Sequence, residues 1–170
     1  KTEYIYGEKL STEGMTVTVT YNNDTVDTIT QFPDSRITFS DDLGDVGENK
    51  TITITWADDT TKTCQITGIK VSPKPVSLDG ISWNITGSPF TYDGTEKTVA
   101  LSGTIPEGVN VDKTTDTQTD AGTYTASATF TAESGNYTIS GTNPITAEWI
   151  INKADLNGKN ASIHVKFDDT

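Results

Sequence analysis

The residues able to do chemistry are few and scattered. His164 is the only histidine of the 170-residue chain, and Cys64 is the only cysteine. His164 lies in the alternating run Ser162-Ile163-His164-Val165-Lys166-Phe167. Its phase, opposite Ile163, Val165 and Phe167, makes it a surface residue rather than a base or metal ligand. Cys64 cannot form an internal disulfide; in phase with Ile66, it is expected to face a core as a small hydrophobe. Nothing beside it would stabilise a thiolate. There is no nucleophile elbow, no Gly-rich phosphate loop ending in Lys and no Cys/His ligand spacing. No catalytic residue is assigned and no enzymatic activity is expected.

Oxygen ligands are more plentiful. Asp41, Asp42, Asp45 and Glu48 fall within nine residues, and hard cations seek such clusters. They are candidate calcium ligands, although the spacing is not that of an EF-hand; otherwise they line a solvated loop between strands. Asp112, Asp116 and Asp120 make a weaker set. No other metal or cofactor is expected. Among rings able to stack on sugars, Trp56 and Trp149 are in phase with apolar neighbours and belong to cores. Trp83 and Tyr92 lie near strand ends and turns, where binding residues gather, and are the ligand candidates. Tyr137 is a further exposed-ring candidate. Glycosylation sequons occur at Asn23, Asn49, Asn84, Asn136 and Asn160, about twice as many as chance would give in so threonine-rich a chain.

Threonine makes up about a fifth of the chain, far above ordinary usage. Residues 15–21 (MTVTVTY), 51–56 (TITITW) and 123–130 (TYTASATF) alternate small β-branched or polar residues with apolar ones. That period makes a strand with one dry and one wet face, and threonine suits the wet face. No segment holds helical periodicity for three turns, so the fold class is all-β. The hydrophobic fraction of 32% suits small sandwiches better than one large core.

The net charge is −12, from 24 acidic and 12 basic residues. This excludes nucleic acid as a partner, since phosphates require basic patches, and disfavours anionic membranes. The excess charge keeps an extended surface protein soluble. No apolar run is long enough to span a membrane as a helix. The chain starts at Lys1 without a signal peptide, as expected of a segment of a larger exported protein.

Expected strands are 2–6, 15–21, 37–39, 51–56 and 63–71, forming a first β-sandwich module over 1–72. Ser72-Pro73-Lys74-Pro75 reads as a short stiff linker. Further strands at 81–84, 90–92, 98–101, 109–112, 124–130, 137–140 and 147–152 form a second small sandwich over 76–154. Gly94 and Gly108 occupy turns that call for positive φ. Residues 155–170 are an extra strand or the start of a truncated next repeat.

The first half resembles the group 3 bacterial immunoglobulin-like domains. The resemblance rests on Tyr4, Gly7 and Leu10, then Gly14-Met15 with Val17 and Tyr21, then Gly47 and the 51–56 strand. The second half is similar to the YDG-type repeats of Gram-positive surface proteins, through Tyr92-Asp93-Gly94, Pro106-Glu107-Gly108-Val109, Asp120-Ala121-Gly122-Thr123-Tyr124, Asn136-Tyr137 and Trp149-Ile150-Ile151-Asn152-Lys153. These resemblances imply two tandem modules, the first Ig-like and the second Ig-like or β-grasp-like. They also imply exported, wall-attached, non-catalytic repeats. The expected role is a stalk or spacer at the cell surface whose partners are neighbouring repeats of the same polypeptide. The alternative is an adhesion module for host glycan, mucin or protein, acting through loop aromatics.

Overall fold

A computed structural model describes residues 1–40 and 43–155. Among them there are sixteen strands and no helix, the arrangement of tandem β-sandwich modules. In the first half these are β1 (Glu3–Ile5), β2 (Val17–Thr20), β3 (Val26–Ile29), β4 (Ile37–Phe39), β5 (Gly47–Trp56), β6 (Thr63–Ser72) and β7 (Lys74–Ser77). The second half adds β8 (Ser82–Asn84), β9 (Phe90–Thr91), β10 (Lys97–Thr98), β11 (Ala100–Ser102) and β12 (Val109–Thr114). It ends with β13 (Thr117–Gln118), β14 (Gly122–Ala132), β15 (Tyr137–Ser140) and β16 (Ile145–Asn152). Two compact units result. One comprises Lys1–Ser77 with Pro106–Asn110 and Thr131–Ser140; the other comprises Leu78–Ile105, Val111–Phe130 and, of the described residues, 141–155.

In the first unit a four-stranded sheet runs β1-β6-β5-β4, with β1 parallel to β6 and the remaining pairs antiparallel. The β2–β3 hairpin is a separate two-stranded layer. Alternation does what the residue types require. Ile52 and Ile54 of β5 are buried, while the alternating Thr51, Thr53 and Thr55 lie on the wetter side. Val17, Ile29, Ile37 and Ile54 form one apolar cluster between the layers; Tyr4, Leu43, Ile52, Ile69 and Val71 form another. The hairpin turns use the same device twice. Asn23 Oδ1 accepts from the Thr25 amide and hydroxyl, and Asp59 Oδ1 accepts from those of Thr61, which pins both turns without glycine.

Cys64 departs from expectation. It pairs with Ile54 and so shares the inner side of the sheet, yet it is exposed. The physical reason is the unequal layers: two strands cannot cover four. Tyr21, in phase with Val17 and Val19 and so expected on the inner face, lies beyond the end of β2 and is 43% exposed. The acidic segment 41–49 is only partly a loop, because β5 starts at Gly47 and continues through an irregularity in register at Asn49, whose φ is 55°.

Asp27 of β3 points to the same side as Val19, its cross-strand partner. It is tolerated there because Arg36 Nη1 donates to its Oδ2. Arg36 also donates through Nε and Nη2 to Asp34, at 3.0 and 2.8 Å, and lies 6.0 Å from the Trp56 ring centre.

The second unit is built on β14, which pairs antiparallel with β16, while β9 joins β16 in parallel. Trp149 is fully buried, with Phe90 perpendicular to it at 5.9 Å and Tyr124 tilted against it at 5.3 Å. Its indole N–H donates to the Thr115 carbonyl at 3.0 Å. Ala126 and Ala128 are fully buried alongside Phe130 and Ile151, as the small-residue alternation of this strand requires. The expected strand 98–101 is two strands: at Val99, 2% exposed, the chain leaves its pairing with β13 and takes up β8. Gly94 and Gly108 have φ of 79° and 77°, as their turns require.

The Arg36 cluster generates a pH prediction. Hydrogen bonds from the Arg36 side chain, and then its amide, lower the Asp34 pKa to about 2. The folded state thus favours the carboxylate. Its contribution is complete above the unfolded value near ~4 and is lost as the pH falls through about 2. Thermal melts of Asp34→Asn should show a lower Tm than wild type at pH 5 to 7, with the gap closing as both are taken from about pH 4 to 2.

Candidate functional site

The main concavity of the first unit, about 580 Å³, is lined by Tyr6, Glu8, Lys9, Asp45, Glu107 and Tyr137, among others. Tyr6 follows β1 and sits against the Tyr4–Ile69 cluster. Tyr137 opens β15, and its ring meets Tyr6 edge to face with centroids 5.5 Å apart. Gly108 forms the floor under Tyr137: a Cβ there would come within 2.3 Å of the ring.

Charged groups around the rings are held by neighbours. Glu8 accepts from the Ile5 amide at 2.8 Å and from Lys1 Nζ at 2.9 Å; these bonds, the backbone one first, lower its pKa. Lys74 lies 3.8 Å from Glu107. Asp45 Oδ1 accepts from Asn136 Nδ2 at 2.8 Å, and the neighbouring Val46 amide donates to Asn136 Oδ1 at 2.9 Å. Desolvation, together with the negative charge of Glu107, raises the Tyr137 phenol above its ordinary value, so it stays neutral at physiological pH. The cavity therefore presents tyrosine rings, carboxylate acceptors and ammonium donors. Such a surface suits non-covalent binding through hydrogen bonds and ring contacts.

A second concavity, about 380 Å³, follows the outer edge of β2 where the layers are unequal. Val17, Val19, Ile54 and Trp56 line it, with Cys64 at the rim.

Of the ligand and metal candidates singled out from the sequence, Asp45 and Tyr137 line the same concavity; the other described ones are not brought together with them. Trp83 is 7% exposed and donates its indole N–H to the Ile145 carbonyl at 3.1 Å. It is therefore a core residue, which corrects its placement as a ring for stacking on ligands. Tyr92 is 39% exposed, next to a turn in which Asp93 accepts from Thr95 and Lys97. Asp45 and Glu48 do not converge: Asp45 is engaged by Asn136, and Glu48 pairs with Lys70 Nζ at 2.8 Å. Asp41, Asp42 and His164 lie outside the described residues. No group of three potential metal ligands occurs among the described residues. Asp116 pairs with Lys113 at 3.0 Å, and the Asp120 carbonyl accepts from the Tyr124 hydroxyl at 2.7 Å. Sequence reasoning does not single out Tyr6, Asn136 or Glu107 as site residues. The available signals are the Asn136-Tyr137 pair and the Pro106-Glu107-Gly108 turn, both of which carry the second resemblance.

Comparison with known proteins defines a class for part of the chain. The family model of the bacterial Ig-like domain (group 3) matches residues 1–68. Such domains occur in bacterial surface or extracellular proteins, and Ig-like families are typically non-catalytic. The match is consistent with a structural or surface-protein module. No curated protein and no solved structure matches the chain.

The partners of Asp45 and Glu48 set the expectation for calcium. Addition of about 5 mM calcium, above the dissociation constants of extracellular modules, should move the Tm by less than about 1 °C. A rise of several degrees, abolished by Asp45→Asn, would show that a calcium site exists.

Proposed function

We propose that this segment is a non-catalytic spacer of a bacterial cell-surface protein, holding another domain away from the wall. The observation that carries this reading is where the large side chains go. Trp149, Phe130, Trp83, Tyr4 and Ile69 are all buried in cores, and threonine-rich faces meet the solvent. A surface of uncharged β-branched residues is soluble without being adhesive. The match of residues 1–68 to a family of surface modules supports the same role. Residues 76–154 then carry a YDG-type repeat, with Gly94 and Gly108 at its turns and its 106–110 and 131–140 stretches packed within the first unit, and the partners are neighbouring repeats. The test is replacement within the parent surface protein. Deleting the segment should bury the distal domain from antibody, and an unrelated Ig-like pair of equal length should restore exposure. Failure of the unrelated pair to restore it would count against a purely spatial role.

An adhesive role is the second reading, favoured by the tyrosine-walled cavity and by exposed Tyr92. Tyrosines flanked by carboxylates are suited to neutral host glycans, which offer C–H faces and hydroxyl donors. On a glycan array this reading expects a bound glycan whose signal falls at least tenfold in Tyr6→Ala or Tyr92→Ala. An empty array, or binding that survives both changes, would sink it.

A further inference from the structure

Ser72-Pro73-Lys74-Pro75, read from the sequence as a stiff linker, is in the first unit tied down on both sides. Upstream, the Tyr6 amide donates to the Ser72 carbonyl at 2.8 Å. Downstream, β7 pairs in parallel with β15, placing Pro75 opposite Thr138 on a strand edge where its missing donor costs nothing. The Lys74 amide donates to the Asn136 carbonyl at 2.8 Å, and the Ser140 hydroxyl to the Val76 carbonyl at 3.2 Å.

The Asn136 side chain joins the two sides. Its oxygen takes the Val46 amide and its nitrogen gives to Asp45, so the loop ahead of β5 is gripped by both ends of one planar amide. An amide can donate and accept at once through its two ends; a carboxylate of the same shape would keep the first bond and repel Asp45. Beside it Tyr137 abuts Tyr6, itself packed on the buried cluster of β1, β5 and β6. Tyr137 is braced from below, because Gly108 leaves room for the ring and its carbonyl accepts from the Glu133 amide at 2.9 Å.

We propose that the 134–137 turn is a clasp, with Asn136 and Tyr137 as its teeth. It makes residues 74–77, 106–110 and 131–140 part of the same cooperative body as residues 1–72, with no hinge at the prolines. The segment matching the Ig-like family is thus shorter than the unit that folds. This holds whether the segment serves as a spacer or as an adhesin.

Amide hydrogen exchange on the full chain tests it. In the wild type the Val46 and Lys74 amides should exchange within about tenfold of the rate of core amides in β5 and β6. Asn136→Ala should speed exchange at Val46 and Lys74 by at least tenfold, alone or together with the core. Should that variant fail to fold, Asn136→Ser, which lacks the side-chain amide, is held to the same criterion. The clasp is overturned if Val46 and Lys74 exchange in the wild type like exposed turn amides over a protected core. It is equally overturned if the variants leave their rates unchanged.

Discussion

Coverage is the constraint on which this structure depends. Strand alternation sends every second side chain to one face, and each apolar residue sent there must then be covered by another layer. In the first unit the four-stranded sheet faces only a two-stranded hairpin, so coverage is incomplete at one edge and secured at another. At the open edge lie Cys64 and the groove beside β2. At the secured edge the Tyr4–Ile69 cluster is flanked by Tyr6, and Tyr6 is capped by Tyr137 from far along the chain. In the second unit coverage is achieved by size: Trp149 and Phe130 fill what fully buried Ala126 and Ala128 leave open.

The same constraint explains why so little chemistry is on display. No polar side chain among the described residues is fully buried, and the two core tryptophans each meet a backbone carbonyl with their indole N–H. Asp93, Asp59 and Asn23 spend their oxygens on threonines two residues on, holding turns in shape. Charged residues pair with close neighbours at the surface, where such pairs contribute little to stability. The polar groups shape turns and edges.

Much of the architecture is legible in the sequence because it rests on period-two patterning. Strands at Ile37–Phe39 and Tyr137–Ser140 occur at the residues expected, and Trp149 is central to its core. The illegible parts have definable causes. β3 escapes notice because four residues with an inward aspartate do not look like a strand; Arg36, seven residues on from Ile29, is what makes Asp27 acceptable there. Cys64 has the right phase but an open neighbour, and phase says nothing about the width of the opposing layer. Trp83 borders a turn, yet its side chain enters the core. The clasp is least accessible of all, since Asn136 and Asp45 are 91 residues apart and neither belongs to an apolar pattern. Their encounter depends on β7 pairing with β15, and a proline-flanked segment gives no hint of a strand.

For function, the consequence is that the first unit ends later than its family resemblance does, at a contact made by tyrosines and one asparagine. The most direct measurement is nuclear Overhauser spectroscopy of the Tyr6 and Tyr137 ring protons in the full chain. With centroids 5.5 Å apart, the rings should show mutual cross-peaks, upfield-shifted ring protons and a slowly exchanging Asn136 side-chain amide. Rings without cross-peaks, at the shifts of free tyrosine while the Ile52 and Ile69 core remains folded, would contradict the account.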